Sequence, residues 1–177
     1  MKVMKFGGTS VGKPERMRQV AELITKSEEK TITVLSALSG TTNALVQISD
    51  ALATSNRTLA KELIDKLNDH YNNFIKELTN DEIYFNKAKS IIEEHFEFLN
   101  VILRISFSDA LNKDILAQGE LLSTKLFCVY LEENNIPHVF LPALEFMSID
   151  AYDEPQVPVI KEKLETLLEK YPYNKLL

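Results

Sequence analysis

Apolar positions change their spacing several times along the chain, and each change marks an element. Val3, Met4 and Phe6 form a short apolar run that predicts a strand over about Lys2–Phe6. From Pro14 to Ser27 the spacing becomes helical, with Met17, Val20, Ala21 and Ile24 on one stripe. Thr31–Leu35 predicts a second strand, and Ser36–Asn43 a turn-rich loop around Gly40. Between Ala44 and about Asn134 the pattern is mostly helical. Its stripes are Leu45, Ile48 and Leu52; Leu63, Leu67, Phe74 and Leu78; Ile91, Ile92, Phe96, Leu99 and Leu103; and Leu121, Leu122, Leu126, Val129 and Tyr130. Pro137–Leu141 predicts a third strand closed by Pro142, with Ala143–Ile149 extended after it. Gln156–Tyr171 predicts an amphipathic helix with Val159, Ile160, Leu164, Leu167 and Leu168 on one face. A turn over Tyr171–Asn174 then leads into Lys175–Leu177, which reads as the start of another strand.

Strands alternating with helices imply an α/β fold with a mainly parallel sheet between helical layers, a three-layer αβα sandwich. Residues from about 44 to 134 form a large helical insertion in it. No internal repeat, low-complexity linker or domain boundary interrupts the pattern. A sheet with so few strands after so long a helical stretch reads as incomplete, and the expectation is a fragment of a longer protein.

Composition narrows this little. The chain has 177 residues, 45% of them hydrophobic and 26% charged, ordinary values for a globular domain. Its net charge of −6 argues against a general nucleic-acid or anionic-membrane surface. The one cysteine, Cys128, cannot form an intramolecular disulfide and lies in the apolar run Leu126–Tyr130, as a small core residue would. His70, His95 and His138 lie far apart in sequence, and no Cys/His cluster has metal-ligand spacing. No signal-peptide hydrophobic region or membrane-length apolar stretch is present. A reducing cytoplasm is the expected compartment.

Candidate chemistry concentrates at the start of the chain. Lys5 sits on the first strand, where an apolar setting makes an unpaired cation costly. Gly7 and Gly8 follow it and let backbone N–H groups approach a ligand. Thr9 and Ser10 add hydroxyls, and Pro14 suits the first residue of a helix whose N-terminus favours anions. Together these predict a phosphate site. Gly7–Lys13 matches the first part of a P-loop, G-x-x-x-x-G-K, but Pro14 supplies neither the hydroxyl nor the N–H that the next position needs. The second strand ends in Ser36, where a P-loop enzyme would place a metal-holding aspartate. The alternative is a plain glycine turn with Lys5 reaching solvent.

Lys5–Val11, together with Val34–Leu45, resembles the N-terminal part of an aspartate kinase of the amino-acid kinase family, and Gln118–Thr124 matches a third motif of that family, near the start of a helix. The resemblance runs over the whole chain. It implies the amino-acid kinase (carbamate kinase-like) fold, and a reaction that moves the γ-phosphoryl group of ATP to the β-carboxylate of L-aspartate, with Mg2+ carried by the nucleotide and no metal held by residues of this chain. By resemblance, Lys5 is the catalytic cation, and Lys5, Gly7 and Gly8 cradle the phosphates. Thr9 and Ser10 either join that cradle or cap the loop or the following helix.

The same resemblance gives Ser36, Thr42 and Glu120 the amino-acid substrate. Ser36 and Thr42 contact it by their hydroxyls, and Glu120 binds its α-ammonium. Thr42 has the alternative role of N-cap to a helix over Ala44–Ala53. Ser123 and Thr124 either support Glu120 or simply pack. Ser39 matches no substrate position, and Glu28–Glu29, Glu93–Glu94 and Glu132–Glu133 read as solvated acids.

Residues 1–177 correspond to the N-terminal part of the catalytic domain. A glycine-glycine-serine-aspartate stretch, a substrate arginine, the adenine-holding lobe and ACT-type regulatory domains would lie further along. The resemblance implies that this chain alone lacks useful activity, and that the full-length enzyme is a homo-oligomer whose partners are L-aspartate and ATP, with no nucleic acid and no membrane. Two other readings stay open: a related amino-acid kinase with another carboxylate substrate, and an inactive domain acting as a regulatory or partner-binding subunit.

Overall fold

The computed structural model describes residues 1–171 and the backbone of Lys175–Leu176. Strands β1 (Lys2–Phe6) and β2 (Thr31–Leu35) lie where the apolar runs predict them. Residues 8–11 form a one-turn helix, α1 (Gly8–Val11), and α2 (Pro14–Thr25) follows with Pro14 in its first turn. The long helical stretch resolves into four helices, α3 (Thr41–Ala53), α4 (Arg57–Leu78), α5 (Glu82–Ile102) and α6 (Asp109–Glu133). Asn56, Asp81 and Ser108 cap the last three, each side chain accepting from a first-turn N–H.

A short helix α7 (Ala143–Phe146) and α8 (Val157–Lys170) lead to β3 (Lys175–Leu176). The predicted strand at Lys175 is thus present over two residues, while Pro172–Asn174 and Leu177 lie outside the described residues. Lys30 donates from Nζ to the carbonyls of Leu168 and Tyr171 at 3.0 and 3.1 Å, tying the C-terminus of α8 to the start of β2.

The sheet is parallel in the order β1-β2-β3, with Lys5 in register with Val34 and Phe6 with Leu35. A strand order that advances in one direction puts right-handed crossovers on one face. The burial pattern agrees: Thr31, Thr33 and Leu35 are buried, and α6 touches β2. On the opposite face Val3 and Val34 are 63% and 46% exposed, so the sandwich is incomplete within the described residues. Lys5 shares that open face and is itself exposed, so the costly buried position expected for it does not exist. The reason is the missing layer: among the described residues nothing buries the face that Lys5 shares with Val3 and with Val34 of the central strand.

Pro137–Leu141 forms no strand. Within it Val139 alone makes a β-bridge, and His138 Nδ1 contacts the Ile136 carbonyl at 2.9 Å, a bond local to the loop. Residues 143–146, expected to be extended, form α7. The apolar stripe of α8 is present, but none of its residues is fully buried.

One hydrophobic cluster runs from α2 through α3, α4 and α5 to α6. Cys128 belongs to it, and burial, with help from Glu132, pushes its thiol up to about 12. Polar pins set the helix register. Glu133 Oε1 accepts from the N–H groups of Asn80 and Asp81, both at 2.7 Å, so this acid closes the α4–α5 turn and is not merely solvated. Between α5 and α6, His95 Nδ1 lies 2.5 Å from Gln118 Oε1 and its Nε2 lies 2.9 Å from Lys125 Nζ. Burial depresses the His95 pKa, and a neutral ring that donates from Nδ1 and accepts at Nε2 satisfies both contacts.

Candidate active site

Two loops meet at the C-terminal ends of β1 and β2, the place where parallel α/β sheets gather ligand contacts. Ser36 N–H donates to the Phe6 carbonyl at 3.0 Å, extending the β1–β2 ladder by one bond into the site. Gly7 is the N-cap of α1, and Ser10 N–H bonds back to its carbonyl at 2.8 Å. A Cβ placed on Gly7 would lie 3.8 Å from Lys5 Nζ, so the lysine head stands beside the glycine pair. Among the described residues Lys5 makes no ion pair, which leaves its ammonium available. Thr9 is exposed, and its carbonyl accepts from Arg16 Nη1 at 2.6 Å; Ser10 is half-buried.

The glycine after Gly7 has a packing reason. A Cβ on Gly8 would fall 2.8 Å from the Ala37 carbonyl oxygen, and one on Gly12 would fall 2.5 Å from the Ser39 Cβ. The loop after β1 thus presses directly on the loop after β2, and Ser39 has a packing role there.

The third motif arrives from the other side. Gln118–Thr124 lies in the middle of α6, not near its start, because Ser108 begins that helix ten residues earlier than the motif suggests. Gly119 allows α6 to approach: a Cβ there would lie 2.7 Å from the Ala37 Cβ, 3.2 Å from Thr41 Cγ2 and 3.3 Å from Leu45 Cδ1. Glu120 Oε1 accepts from Ala37 N–H at 3.4 Å, and Ser123 Oγ donates to the Ser36 carbonyl at 2.8 Å. Ser123 is fully buried and fastens α6 to the end of β2, so it supports the site. Thr124 Oγ1 donates to the Glu120 carbonyl at 2.8 Å.

Thr42 is exposed in the first turn of α3 and is not its N-cap. That position belongs to Gly40, whose φ of 85° is strained for any residue with a Cβ, and no side chain caps the helix there. Lys5 makes no hydrogen bond or ion pair with Ser36, Thr42 or Glu120 among the described residues. The connection runs through Ala37, which touches the Gly8 approach with its carbonyl, Gly119 with its methyl and Glu120 with its N–H.

Ala37 and Gly12 lie inside the motifs but receive no role from them, and the packing of Gly119 is not visible there either. For Gly119 the signal was present, since an isolated glycine inside an apolar helical stripe marks either a cost of about 1 kcal/mol or a close approach. Gly119→Ala is expected to destabilise the protein by about 1–3 kcal/mol, because the added methyl meets a Cβ fixed to backbone, and this outweighs the better helix propensity. Urea unfolding of both proteins checks this, and an unchanged midpoint would show that the loop gives way.

These contacts can bring one cation, several backbone N–H groups, the exposed or half-buried hydroxyls of Thr9, Ser10, Ser36 and Thr42, and one carboxylate to bear on a small charged ligand. Among the described residues, no cluster of three or more His, Cys, Asp or Glu side chains could hold a metal ion, and no helix is long and apolar enough to cross a membrane.

The geometry has relatives. Aspartokinase 2, chloroplastic, of Arabidopsis thaliana is 40% identical over 145 residues, covering 77% of this chain and 25% of that protein. The bifunctional aspartokinase/homoserine dehydrogenase of Haemophilus influenzae is 31% identical over 169 residues, 90% of this chain and 20% of that protein. The chain therefore spans about a quarter or less of the length of these relatives. The fold matches the crystal structure of E. coli aspartokinase III in complex with aspartate and ADP, with a TM-score of 0.83 at 23% identity, over 99% of this chain and 39% of that one. The sequence model described as the amino acid kinase family matches residues 1–173, and with two strand-end loops meeting as this fold requires, the chain belongs to the amino acid kinase family.

Proposed function

We propose that this chain is the N-terminal part of the catalytic domain of an aspartate kinase, and that it supplies the phosphate-facing and amino-acid-facing groups for phosphoryl transfer from ATP to L-aspartate. The observation that carries the reading is the convergence on Ala37, which brings Glu120 to the loop of Ser36 and Thr42 beside the glycine turn of Lys5. Its relatives bear the name aspartokinase, and the E. coli protein of the same fold was solved with aspartate and ADP.

In this reading an oxygen of the aspartate β-carboxylate attacks the γ-phosphorus of ATP, and the bond from that phosphorus to the bridging oxygen of ADP breaks. Such a transfer needs positioning and charge stabilisation more than covalent help from the protein. Lys5 offsets charge on the transferring oxygens. The N–H groups of the Gly7–Gly8 turn face the same oxygens, with Thr9 and Ser10 at its rim. Ser36 and Thr42 bond a substrate carboxylate, and Glu120 takes the α-ammonium in a charge-assisted hydrogen bond. Magnesium belongs to the nucleotide as its substrate complex, and no step runs through a protein-held metal. A cytoplasmic setting suits the one buried thiol, and the open face of Val3 and Val34 suits cover by the rest of the kinase domain in a homo-oligomeric full-length enzyme.

A coupled assay of ADP release tests the reading. The 177-residue chain alone is expected to give no aspartate-dependent turnover, and the polypeptide that joins it to the rest of a kinase domain is expected to give it. Turnover of that longer polypeptide with a different carboxylate, and none with aspartate, would assign the chain to another amino-acid kinase.

A further inference from the structure

We propose that Tyr71 is a positioning residue for the amino-acid side of the site: its hydroxyl holds Thr41, and so fixes the first turn of α3, which carries Thr42, against Glu120 on α6. The substrate part of this inference rests on the function proposed above; the mechanical part does not.

Tyr71 is 0% exposed and sits on α4, yet its hydroxyl lies 3.1 Å from Thr41 Oγ1, and Thr41 is 1% exposed. Two buried hydroxyls satisfy one another there, in a layer otherwise formed of apolar side chains. The ring of Tyr71 is fixed by edge contacts with Phe96 at 6.0 Å and His70 at 5.9 Å between ring centres. Burial raises the phenol well above its ordinary value, with Glu120 adding to the rise, so the hydroxyl keeps its proton.

Thr41 is gripped from two sides. Its hydroxyl is bound to α4, and its methyl stands 3.2 Å from where a Cβ on Gly119 would be, at the closest approach of α6. This matters because α3 has no side-chain cap of its own: Gly40 stands at the N-cap and offers none. The bond from Tyr71 satisfies no backbone N–H as a capping serine or aspartate would, but it ties the first residue of α3 to a neighbouring helix. Thr42 follows directly and Glu120 is one residue beyond Gly119, so the bond sets the separation of two proposed substrate groups.

The test is a double-mutant cycle, with Tyr71→Phe and Thr41→Val, both of which keep shape while removing one hydroxyl. Hydrogen exchange on the 177-residue chain reads the mechanical part without any activity. The amides of Thr41 and Ala44, which bond to the carbonyls of Leu38 and Gly40, are expected to exchange roughly tenfold faster in Tyr71→Phe, with α5 and α6 unchanged. The double variant is expected to exchange no faster than either single one. Unchanged exchange in Tyr71→Phe, equal acceleration through all helices, or additive effects would overturn the proposal.

In the longer kinase polypeptide, Tyr71→Phe is expected to raise the KM for L-aspartate about 3- to 10-fold and leave that for ATP alone. The double variant, which has no unpaired hydroxyl, is expected to recover thermal stability while its aspartate KM stays raised. Recovery of both would reduce Tyr71 to a structural residue and overturn the positioning role. If the unmutated polypeptide shows no turnover with aspartate, the function reading fails, and the exchange measurement still decides whether Tyr71 holds the turn.

Discussion

Lys5→Ala in the active kinase polypeptide is expected to lower kcat by about 10²–10³-fold, the range found when one preorganised group facing a developing charge is removed. The fold is expected to survive. Lys5 is exposed on an edge strand, makes no ion pair among the described residues and buries nothing whose loss would open a cavity. That separation makes the experiment clean, since circular dichroism and the unfolding midpoint report the fold while ADP release reports the chemistry. Retention of near-normal kcat would remove Lys5 from the reaction. The sequence argued for Lys5 through the cost of burying it, and the structure withdraws that reason. What stands in its place is the position of its ammonium beside Gly7, at the end of the strand where the glycine turn begins.

Glu120→Gln is expected to raise the KM for L-aspartate about 10- to 100-fold, with that for ATP nearly unchanged. A hydrogen bond to a charged group contributes about 1.5–3 kcal/mol, and every 1.4 kcal/mol is a factor of ten. Glutamine is the informative replacement because its amide oxygen can still accept from Ala37 N–H, the bond that Glu120 makes at 3.4 Å. The loop is therefore held while the negative charge goes. Steady-state kinetics with each substrate varied in turn gives the answer. An equal rise in both KM values would mean that Glu120 shapes the site as a whole and does not meet the α-ammonium.

The elements whose own residues determine them were legible from sequence. β1 and β2 appear with the expected bounds, and α2 ends at Thr25, two residues before the periodicity suggested, as fraying helix ends do. The long helical stretch was visible as a whole, and its division into α3, α4, α5 and α6 follows from caps at Asn56, Asp81 and Ser108 that the apolar spacing alone does not reveal. The stretch 137–141 has strand composition, yet only Val139 reaches a β-bridge, because pairing is a property of the sheet, not of the segment.

The candidate site divides in the same way. Motifs singled out Lys5, the glycine pair, the Ser36–Thr42 loop and Glu120 as candidates, each with the residue type the proposed chemistry needs. They could not say that Thr42 stands inside α3 behind a glycine cap, or that Ser123 bonds the Ser36 carbonyl, because both depend on how α6 leans on the loop. They also passed over Tyr71, whose neighbours in sequence, Asp69, His70, Asn72 and Asn73, give no hint of the hydroxyl partner thirty residues away.

Gly8, Ala37 and Gly119 meet with no room for a further methyl on either glycine. A lineage cannot exchange these positions one at a time without displacing a strand-end loop or a long helix. At Gly119 a larger residue can enter only where the Ala37 methyl is lost in the same step, whereas at Gly8 the obstacle is the Ala37 carbonyl, which no exchange of side chain removes. Positions 37 and 119 should therefore vary together among descendants of this sequence, and Gly8 should stay fixed. A designer who wishes to reshape the amino-acid pocket has to treat them as one unit, redrawing positions 37 and 119 together around a fixed Gly8 before touching the groups that face the substrate.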